Sequence, residues 1–465
     1  MSDPRHLSVA IVGAGPAGIY AADILSKSGL DVSIDIFERL PAPYGLVRYG
    51  VAPDHPRIKQ IIVALFRILQ RGDIRLIGNV EVGRDIPVSQ LTERYDAVIL
   101  ATGSDRDAPI NLPGTDLPEV HGASEFVFWY DGHPEAPRTW PLEAKEVAVL
   151  GVGNVALDVA RMLTKHVEDL MPTEIPANVA EVLRSSPVTD VHLFGRRGPA
   201  QVKFSPLELR EMGQMRDVDV IVHEEDFDFD EGSEAAIRSS NQTKQVVKTL
   251  VDWTLKDPED RRASRRIHLH FFHKPVAVLG RGGHVVGIRT ERTQLVGDGT
   301  VRATGEYVDT PVGAVYRAVG YFSSPVEGVP FDDVRGVIPN SEGRVLDEHD
   351  QPIRGLYATG WVKRGPVGLI GSTKSDAQQT IAHLVEDAHA GRLDRDRDQD
   401  ALGHDAMVAD LEAAGIRFTT WQGWELLDAY ERALGADEGR DRVKVVERET
   451  MIAISRDEGH VATLP

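Results

Sequence analysis

Two glycine-rich turns, far apart in the chain, have the residue types and spacing that bind phosphate. The first, GAGPAG at residues 13–18, matches G-x-G-x-x-G, and the second, GVGNVA at residues 151–156, matches the accepted variant G-x-G-x-x-A. In this pattern the first glycine permits a tight bend, the second lets the backbone approach a pyrophosphate, and the last small residue lets a helix pack closely. Each turn predicts a dinucleotide site, to which the first contributes Gly13, Gly15, Pro16, Ala17 and Gly18 and the second Gly151, Gly153 and Val155.

Predicted strands and helices flank both turns in the order that a dinucleotide site requires. Ser8–Val12 is a short apolar run typical of a buried parallel strand, a helical stretch follows the turn, and Val32–Phe37 completes a βαβ unit. The order recurs around the second turn, with a strand at Glu146–Leu150, a helix at Leu157–Lys165 and a strand at Val188–Phe194. The sequence therefore predicts an α/β fold with two Rossmann-like dinucleotide-binding domains.

The residues that end the second strand of each unit differ, and they indicate two different dinucleotides. Glu38 ends that strand in the first unit, where a carboxylate can accept hydrogen bonds from a ribose diol. Arg196 and Arg197 follow that strand in the second unit, where guanidinium groups suit a 2′-phosphate. The alternative for all three side chains is an ordinary solvated position on the surface. The two strand ends together predict FAD at the first site and NADP at the second, an arrangement suited to hydride transfer.

Composition limits the other kinds of chemistry. The chain has 465 residues, a formal charge of -20 and no cysteine. The lack of cysteine excludes disulfides, thiolate zinc sites, a bound iron–sulfur cluster and a redox-active dithiol, so redox chemistry requires an organic cofactor. The negative charge disfavours nucleic acid and anionic membranes as partners. Leu7–Ala22 is apolar, but its glycines and proline distinguish it from a secretory leader, and we expect a cytoplasmic protein.

The second domain is expected to be inserted in the first. A predicted strand ends at Ala101-Thr102-Gly103, where Ala101 and Gly103 are candidate FAD contacts, and the stretch 104–115, rich in proline, glycine and aspartate, follows it. The chain is expected to return from the second domain to the first within residues 320–330. These crossings predict an FAD-binding domain formed by residues 1–104 and 329–465, including a C-terminal extension, and an NADP-binding domain formed by residues 105–328.

Several longer motifs are more specific than the glycine turns. They are YGLVRYGVAPDH at residues 44–55, GVGNVALD at 151–158, GRRGP at 195–199, GWVKRGPVGLIG at 360–371, and a C-terminal segment with Trp421 and Trp424. With these motifs the chain resembles, over nearly its full length, the adrenodoxin reductase family of ferredoxin–NADP reductases, particularly its bacterial members. One position departs from the commonest family pattern, because Val152 stands where glutamine is frequent.

The resemblance implies positions for most cofactor contacts. It places Leu46, Arg48, Trp361, Gly368 and Ile370 around the flavin, with Val80 near the adenine end of FAD. It places Asn154, Arg196, Arg197, Glu208 and Gly368 around NADPH. It also places His55 and Glu211 near the nicotinamide, where they would orient hydride transfer.

Simpler interpretations stay open for three of these side chains. Residues 205–208, Ser-Pro-Leu-Glu, fit a capping box, in which Glu208 caps a helix. Trp361 could be an ordinary core aromatic residue. His55 lies in a turn that could place it on the surface.

The combined features predict an NADPH–ferredoxin oxidoreductase, in which NADPH reduces FAD and single electrons then pass to a ferredoxin-type iron–sulfur protein. One alternative is an electron-input subunit of a larger flavoprotein, such as the glutamate synthase small subunit, but that family resemblance would call for cluster-binding cysteines. The other alternative is a non-catalytic dinucleotide-binding sensor.

Two further groups of side chains lead to expectations about metals and partners. On a strand, His268 and His270 would face one side and His273 the other, which offers two metal ligands at most, so no metal site is predicted. A cationic stretch is expected to attract an acidic ferredoxin, with ordinary solvated charge as the alternative. Its members are Arg210, Lys244, Lys248, Arg261, Arg262, Arg265 and Arg266.

Overall fold

The computed structural model describes residues 6–368, 370–394 and 403–458. Its strands, in chain order, are β1 (Leu7–Val12), β2 (Val32–Glu38), β3 (Ile74–Gly78), β4 (Ala97–Leu100), β5 (Arg106–Asp107), β6 (Val120–Gly122), β7 (Glu146–Leu150), β8 (Asp190–Phe194), β9 (Val218–Ile221), β10 (Arg265–His270), β11 (His273–Arg281), β12 (His284–Leu295), β13 (Val301–Thr310), β14 (Ala314–Arg317), β15 (Tyr321–Phe322), β16 (Asn340–Ser341), β17 (Arg344–Leu346), β18 (Pro352–Ala358) and β19 (Thr419–Thr420).

The α-helices are α1 (Pro16–Ser26), α2 (Leu46–Tyr49), α3 (Pro56–Lys59), α4 (Ile61–Leu69), α5 (Val88–Arg94), α6 (Ala123–Tyr130), α7 (Asn154–Thr164), α8 (Val167–Leu170), α9 (Ala177–Arg184), α10 (Pro206–Met212), α11 (Glu231–Ser239), α12 (Asn241–Thr254), α13 (Trp361–Arg364), α14 (Ile370–His389), α15 (His404–Ala413), α16 (Trp421–Asp437) and α17 (Arg448–Ser455). Within the described ranges, no helix combines the length and the apolar character needed to cross a bilayer.

The chain forms two compact units. Unit 1 contains the residues up to Arg106, the short segment Asp131–Glu135 and the residues from Tyr321 onward. Unit 2 contains Asp107–Tyr130 and Ala136–Gly320. The boundary predicted after residue 104 lies close to the start of unit 2 at Asp107. Residues 321–328, expected in the NADP-binding domain, belong to unit 1, as does the segment Asp131–Glu135, which the prediction did not separate.

The main sheet of unit 1 has the strand order β16-β17-β18-β4-β1-β2-β3-β19. The central strands β18, β4, β1, β2 and β3 run parallel, while β16, β17 and β19 are antiparallel additions at the edges. Successive residues of β1 enter different cores, because Val9 and Ile11 belong to one buried cluster and Ala10 and Val12 to another. Strand side chains alternate between the two faces of a sheet, so a sheet covered on both faces needs the continuous apolar run seen here.

The sheet of unit 2 has the order β6-β14-β7-β8-β10-β9, and its neighbouring strands are parallel. The antiparallel strands β11, β12 and β13 form a second sheet, which packs on the first through a buried cluster that includes Ala148, Phe194, Val278 and Ile288. The predicted α/β fold with two Rossmann-like units is confirmed. The strands and helices predicted around the two turns are observed with ends within three residues of those expected.

Candidate functional site

The first glycine turn joins β1 to α1. Two of its glycines could not carry a side chain without a clash, and the third borders open space. Gly13 has φ +111°, and a Cβ there would lie 2.4 Å from the carbonyl oxygen of Ala101. A Cβ at Gly18 would lie 2.0 Å from the carbonyl oxygen of Gly13, whereas a Cβ at Gly15 would meet nothing within 4 Å among the described atoms. No side chain in the described part of the chain caps α1 at Gly15. The N–H groups of its first turn therefore fit the pyrophosphate of a dinucleotide.

Glu38 lies against this turn. It is 7% exposed, and its carboxylate oxygens accept hydrogen bonds from the backbone N–H groups of Ala14 at 2.8 Å and Leu40 at 3.1 Å. Burial raises the pKa of this carboxyl group, and the N–H donors act in the opposite direction. Each oxygen can accept a further hydrogen bond from a ribose hydroxyl. The interpretation of Glu38 as a surface carboxylate is wrong, because the side chain is buried beside the turn.

Remote segments pack against the first turn. The backbone N–H of Tyr44 donates to the carbonyl oxygen of Ala14 at 2.8 Å, and a Cβ at Gly360 would lie 2.6 Å from the Cβ of Ala17. Together with the approach of Ala101 to Gly13, these contacts bring three parts of unit 1 to the turn. These parts carry the predicted FAD contacts Leu46, Ala101, Gly103 and Trp361.

Asp376 on α14 holds the segment that contains Gly360, and sequence reasoning missed it. Its Oδ2 accepts hydrogen bonds from the backbone N–H of Gly360 at 2.5 Å and from the hydroxyl of Thr359 at 3.1 Å. Trp361 follows and is half-buried, with its ring centroid 5.9 Å from that of Tyr321. Trp361 is therefore not a fully enclosed core residue, and part of its surface is available to a ligand.

The remaining predicted FAD contacts are placed as follows. Val80 is buried, and its backbone N–H donates to the carbonyl oxygen of Glu38 at 2.9 Å, which puts it beside the acidic residue of the turn. Gly368 is exposed and has φ +86°. Ile370 begins α14, but its side chain lies outside the described residues.

Arg48 on α2 is buried at 2% exposure and its guanidinium is bound to Glu431. Nη1 and Nη2 donate to the two carboxylate oxygens of Glu431 at 3.0 and 2.5 Å, and the guanidinium carbon lies 5.1 Å from the ring centroid of Trp424. Glu431 is fully buried and also accepts a hydrogen bond from Arg442 at 3.1 Å. The C-terminal extension thus holds α2 in place through this ion pair. The sequence did not reveal this role, because Arg48 and Glu431 are 383 residues apart.

His55 is 5% exposed, so its interpretation as a surface residue is wrong. It precedes α3, whose Lys59 places Nζ 3.2 Å from Oδ1 of the buried Asp131. Lys444 Nζ lies 3.3 Å from the same carboxylate oxygen and donates to the carbonyl oxygen of Arg48 at 2.8 Å. These ion pairs anchor the segment Asp131–Glu135 within unit 1.

The second glycine turn joins β7 to α7 and has the geometry of the first. Gly151 has φ +137°, and a Cβ there would lie 2.2 Å from the carbonyl oxygen of Ala318. A Cβ at Gly153 would meet no described atom within 4 Å, and α7 lacks a side-chain cap within the described ranges. The half-buried Val155 lies in the first turn of this helix. A second pyrophosphate therefore fits at the start of α7.

Arg196 and Arg197 follow β8, as predicted. Arg196 is exposed and Arg197 half-buried, and neither guanidinium has a hydrogen bond or ion pair to any described residue. The side chain of Val152 packs against the preceding Gly195, where a Cβ would lie 2.9 Å from Cγ1 of the valine. Val152 thus makes an apolar contact next to the two arginines, and both guanidinium groups stay available to an anion.

A capping box at the start of α10 confirms the simpler role for Glu208. The backbone N–H of Glu208 donates to the hydroxyl of Ser205 at 3.3 Å, and that hydroxyl donates to the Glu208 carboxylate at 2.8 Å. Asn154 accepts a hydrogen bond from the backbone N–H of Ser205 at 2.9 Å, which joins the second turn to α10. The half-buried Glu211 lies on the same helix.

His192, His268 and His270 of unit 2 form a stacked group, of which the sequence indicated only the last two members. The rings of His192 and His268 lie 4.4 Å apart at 12°, and His192 and His270 share a nitrogen–nitrogen contact of 3.0 Å. The prediction that His273 faces away was wrong, because Phe272 has φ +57° and turns the chain, which brings the His273 ring 5.5 Å from that of His270. Among the described residues, no group of three or more suitable side chains could hold a metal ion.

We expect this histidine group to make the protein less stable in weak acid. Burial lowers the pKa of His192 and of His273 to about 4, below the value near 6.5 of an unfolded histidine. The folded protein then binds fewer protons than the unfolded chain below about pH 6.5, so stability present above that pH is lost as the pH falls. Each of these two histidines should lower the free energy of unfolding by about 2 kcal/mol at pH 5.

The free energy of unfolding, measured in urea at pH 7.5 and pH 5, tests this expectation. His192→Phe keeps a ring in the stack but removes the titrating imidazole. The decrease in the free energy of unfolding between pH 7.5 and pH 5, called the acid loss, should therefore be smaller by about 2 kcal/mol in this variant. The exposed His349 is a control, because His349→Phe should leave the acid loss unchanged. Equal losses for wild type and His192→Phe would contradict the account.

The predicted cationic stretch is only partly available to a partner. Arg265 donates to the carbonyl oxygens of Thr164 and Lys165 at 3.0 and 2.9 Å, and Arg266 forms two hydrogen bonds to Asp190 at 2.7 and 2.9 Å. These two arginines stabilise unit 2 through those contacts, while 47% of the Arg266 side chain stays exposed. The exposed cations of the stretch are Arg210, Lys244, Lys248, Arg262 and Arg266, whereas Arg261 and Arg265 are half-buried.

Comparisons with known proteins agree with this arrangement. A family model described as "Pyridine nucleotide-disulphide oxidoreductase" matches residues 7–197. The NADPH:adrenodoxin oxidoreductase of Homo sapiens is 40% identical over 96% of this chain and 91% of that protein, and the corresponding Arabidopsis thaliana protein is 37% identical over 97% and 95%. The NADPH-ferredoxin reductase FprA of Mycobacterium tuberculosis is 39% identical over 97% of this chain and 99% of that protein.

A solved structure shows the same relationship in three dimensions. Mycobacterium tuberculosis FprA in complex with NADPH superposes with a TM-score of 0.89 at 38% identity, covering 97% of this chain and all of that one. The match thus extends over nearly the whole of both chains. The chain therefore belongs to the family of NADPH:adrenodoxin oxidoreductases and NADPH-ferredoxin reductases.

Proposed function

We propose that the protein is an FAD-containing, NADPH-dependent reductase that delivers electrons to a ferredoxin-type iron–sulfur protein in the cytoplasm. The observation that carries the proposal is the presence of two unlike dinucleotide turns in one chain. The first has a buried carboxylate, Glu38, beside it, and the second has two arginines without partners among the described residues. One turn suits a ribose diol and the other a 2′-phosphate.

The proposed roles of individual residues rest on the two glycine turns and on the family resemblance. The FAD contacts of this proposal are Gly13, Gly15, Pro16, Ala17, Gly18, Glu38, Leu46, Arg48, Val80, Ala101, Gly103, Trp361, Gly368 and Ile370. The NADPH contacts are Gly151, Gly153, Asn154, Val155, Arg196, Arg197, Glu208 and Gly368. Arg48 contributes mainly through the backbone of α2, since its guanidinium is held by Glu431.

FAD, when bound, supplies the ability to accept a hydride and to release the electrons singly. The protein contributes binding and orientation: the helix starts at Gly15 and Gly153 hold the pyrophosphates, and Arg196 and Arg197 select the phosphorylated coenzyme. His55 and Glu211 orient the nicotinamide. The lack of cysteine excludes a dithiol as an intermediate electron carrier.

The cofactor content and the first electron transfer test this proposal directly. The purified protein should be yellow and hold one noncovalent FAD, and anaerobic NADPH should bleach the flavin absorbance rapidly. A flavin-free protein that added FAD does not reconstitute would refute the proposal. Binding of both nucleotides without bleaching would favour a sensor over an enzyme.

We expect His55→Ala and Glu211→Ala to slow flavin reduction by NADPH about tenfold or more, because misplaced reacting atoms reduce the rate steeply. FAD retention should change much less, since the proposed role is to orient the nicotinamide. Stopped-flow absorbance measures the reduction rate, and the flavin-to-protein ratio after gel filtration measures retention. Wild-type rates in both variants would remove these residues from the mechanism.

A further inference from the structure

Lys203 lies in a segment that runs alongside the second glycine turn. Its backbone N–H donates to the carbonyl oxygen of Val152 at 3.3 Å. Two residues later, the backbone N–H of Ser205 donates to Oδ1 of Asn154 at 2.9 Å. Residues 203–205 are therefore fixed to the turn at two points, one on each side of Gly153.

The ammonium group of Lys203 is available to an anion. The side chain is exposed, and in the described ranges it has no ion pair or side-chain hydrogen bond. The carboxylate closest to it in sequence, that of Glu208, is held by the hydroxyl of Ser205 at 2.8 Å. In contrast, Lys256 of the same unit is paired with Asp219. The ammonium group of Lys203 thus has no paired carboxylate among the described residues, and it belongs to a segment fixed to a turn built for phosphate.

Val152 of the turn contacts both the segment of Lys203 and the segment of the two arginines. Its carbonyl oxygen accepts the hydrogen bond from the backbone N–H of Lys203, and its side chain packs against Gly195, next to Arg196. NADPH carries both a pyrophosphate and a 2′-phosphate, and two arginines do not neutralise all of that charge. A lysine is a flexible point charge that can reach a phosphate without the fixed geometry that a guanidinium requires.

We propose that Lys203 is a third cationic contact for the phosphates of NADPH and strengthens coenzyme binding beyond Arg196 and Arg197. This inference rests on the proposed function, which places NADPH at the second turn. The contact adds an attraction that depends on the charge of Lys203 and not on its backbone hydrogen bond, so a neutral side chain of similar length should lose it.

Isothermal titration of the oxidised, FAD-loaded protein with NADP⁺ tests the proposal. Lys203→Met should raise the Kd about five- to tenfold, the range expected for a partly exposed charge-assisted contact, and Lys203→Arg should restore most of the affinity. Lys145→Met is the matched control, since Lys145 is an exposed lysine of the same unit placed before β7, at the opposite end of that strand from the turn. Its Kd should stay at the wild-type value.

Titration with NAD⁺ identifies the phosphate involved. If Lys203 contacts the 2′-phosphate, Lys203→Met should leave the Kd for NAD⁺ unchanged. If it contacts the pyrophosphate, the variant should raise the Kd for NAD⁺ by the same factor as for NADP⁺. Either result supports the proposal. A Kd for NADP⁺ within twofold of wild type in Lys203→Met, while Arg197→Ala weakens binding, would overturn it. Failure of the wild-type protein to bind NADP⁺ would instead refute the proposed function.

Discussion

Replacement of both Arg196 and Arg197 by alanine is expected to lower the NADPH-to-NADH ratio of kcat/KM by about a hundredfold or more. Each guanidinium would lose a charge-assisted contact to the 2′-phosphate worth about 1.5–3 kcal/mol, and about 1.4 kcal/mol corresponds to a factor of ten. Neither side chain has a partner among the described residues, so the loss should fall on the ligand and not on the fold. Steady-state kinetics with both coenzymes and a small neutral dye as acceptor measure the ratio.

A double variant that removes the same charge elsewhere is the control for this prediction. Arg238 and Arg281 are exposed residues of unit 2, and Arg238→Ala with Arg281→Ala should leave the ratio unchanged. If the ratio stayed at the wild-type value in the Arg196 and Arg197 double variant, the 2′-phosphate site would lie elsewhere. If it fell equally in both double variants, the effect would come from net charge and not from direct contact.

Glu431→Leu is expected to lower the free energy of unfolding by about 3–5 kcal/mol, the usual consequence of breaking a buried ion pair. The fully buried carboxylate binds Arg48 through two hydrogen bonds and also Arg442, and the backbone N–H of Val445 donates to it at 3.0 Å. Arg442 would keep Asp428 at 2.8 Å, but Arg48 would lose the carboxylate that compensates its burial. Because Arg48 belongs to α2, the variant should also release FAD more readily.

Guanidinium unfolding followed by tryptophan fluorescence, with the flavin-to-protein ratio measured in parallel, tests both effects. Glu425→Leu changes a half-buried glutamate on the same helix and should cost much less than Glu431→Leu. Glu431→Gln should lower the free energy of unfolding by an intermediate amount, because glutamine keeps hydrogen-bonding atoms but carries no charge. Equal stability of Glu431→Leu and Glu425→Leu would mean that the buried network does not stabilise the fold.

Local patterns in the sequence predicted the parts of the structure that depend on neighbouring residues. The two glycine turns, the strands and helices around them, and the capping box of Ser205 and Glu208 all follow from spacings of a few residues. The positions of Arg196 and Arg197 follow too, because the end of a parallel strand lies at a defined place relative to the turn.

Contacts between remote residues were not predictable in this way. Arg48 with Glu431, and Asp131 with Lys444, join positions more than three hundred residues apart, and no periodicity connects them. A cationic run in sequence likewise does not reveal that two backbone carbonyl groups bind Arg265 and that Asp190 binds Arg266. The position of His273 depended on a left-handed residue, Phe272, whose conformation is rare outside glycine and asparagine.

The most direct test of the proposed activity is the electron balance between NADPH and a ferredoxin in the absence of oxygen. Catalytic amounts of the FAD-loaded protein should reduce a pair of one-electron ferredoxin molecules for each NADPH oxidised, and NADH should support much slower turnover. The absorbance changes of NADPH and of the iron–sulfur cluster, recorded together, give this ratio. Rapid reduction of the bound flavin by NADPH, with no electrons reaching any ferredoxin of the host, would contradict the account.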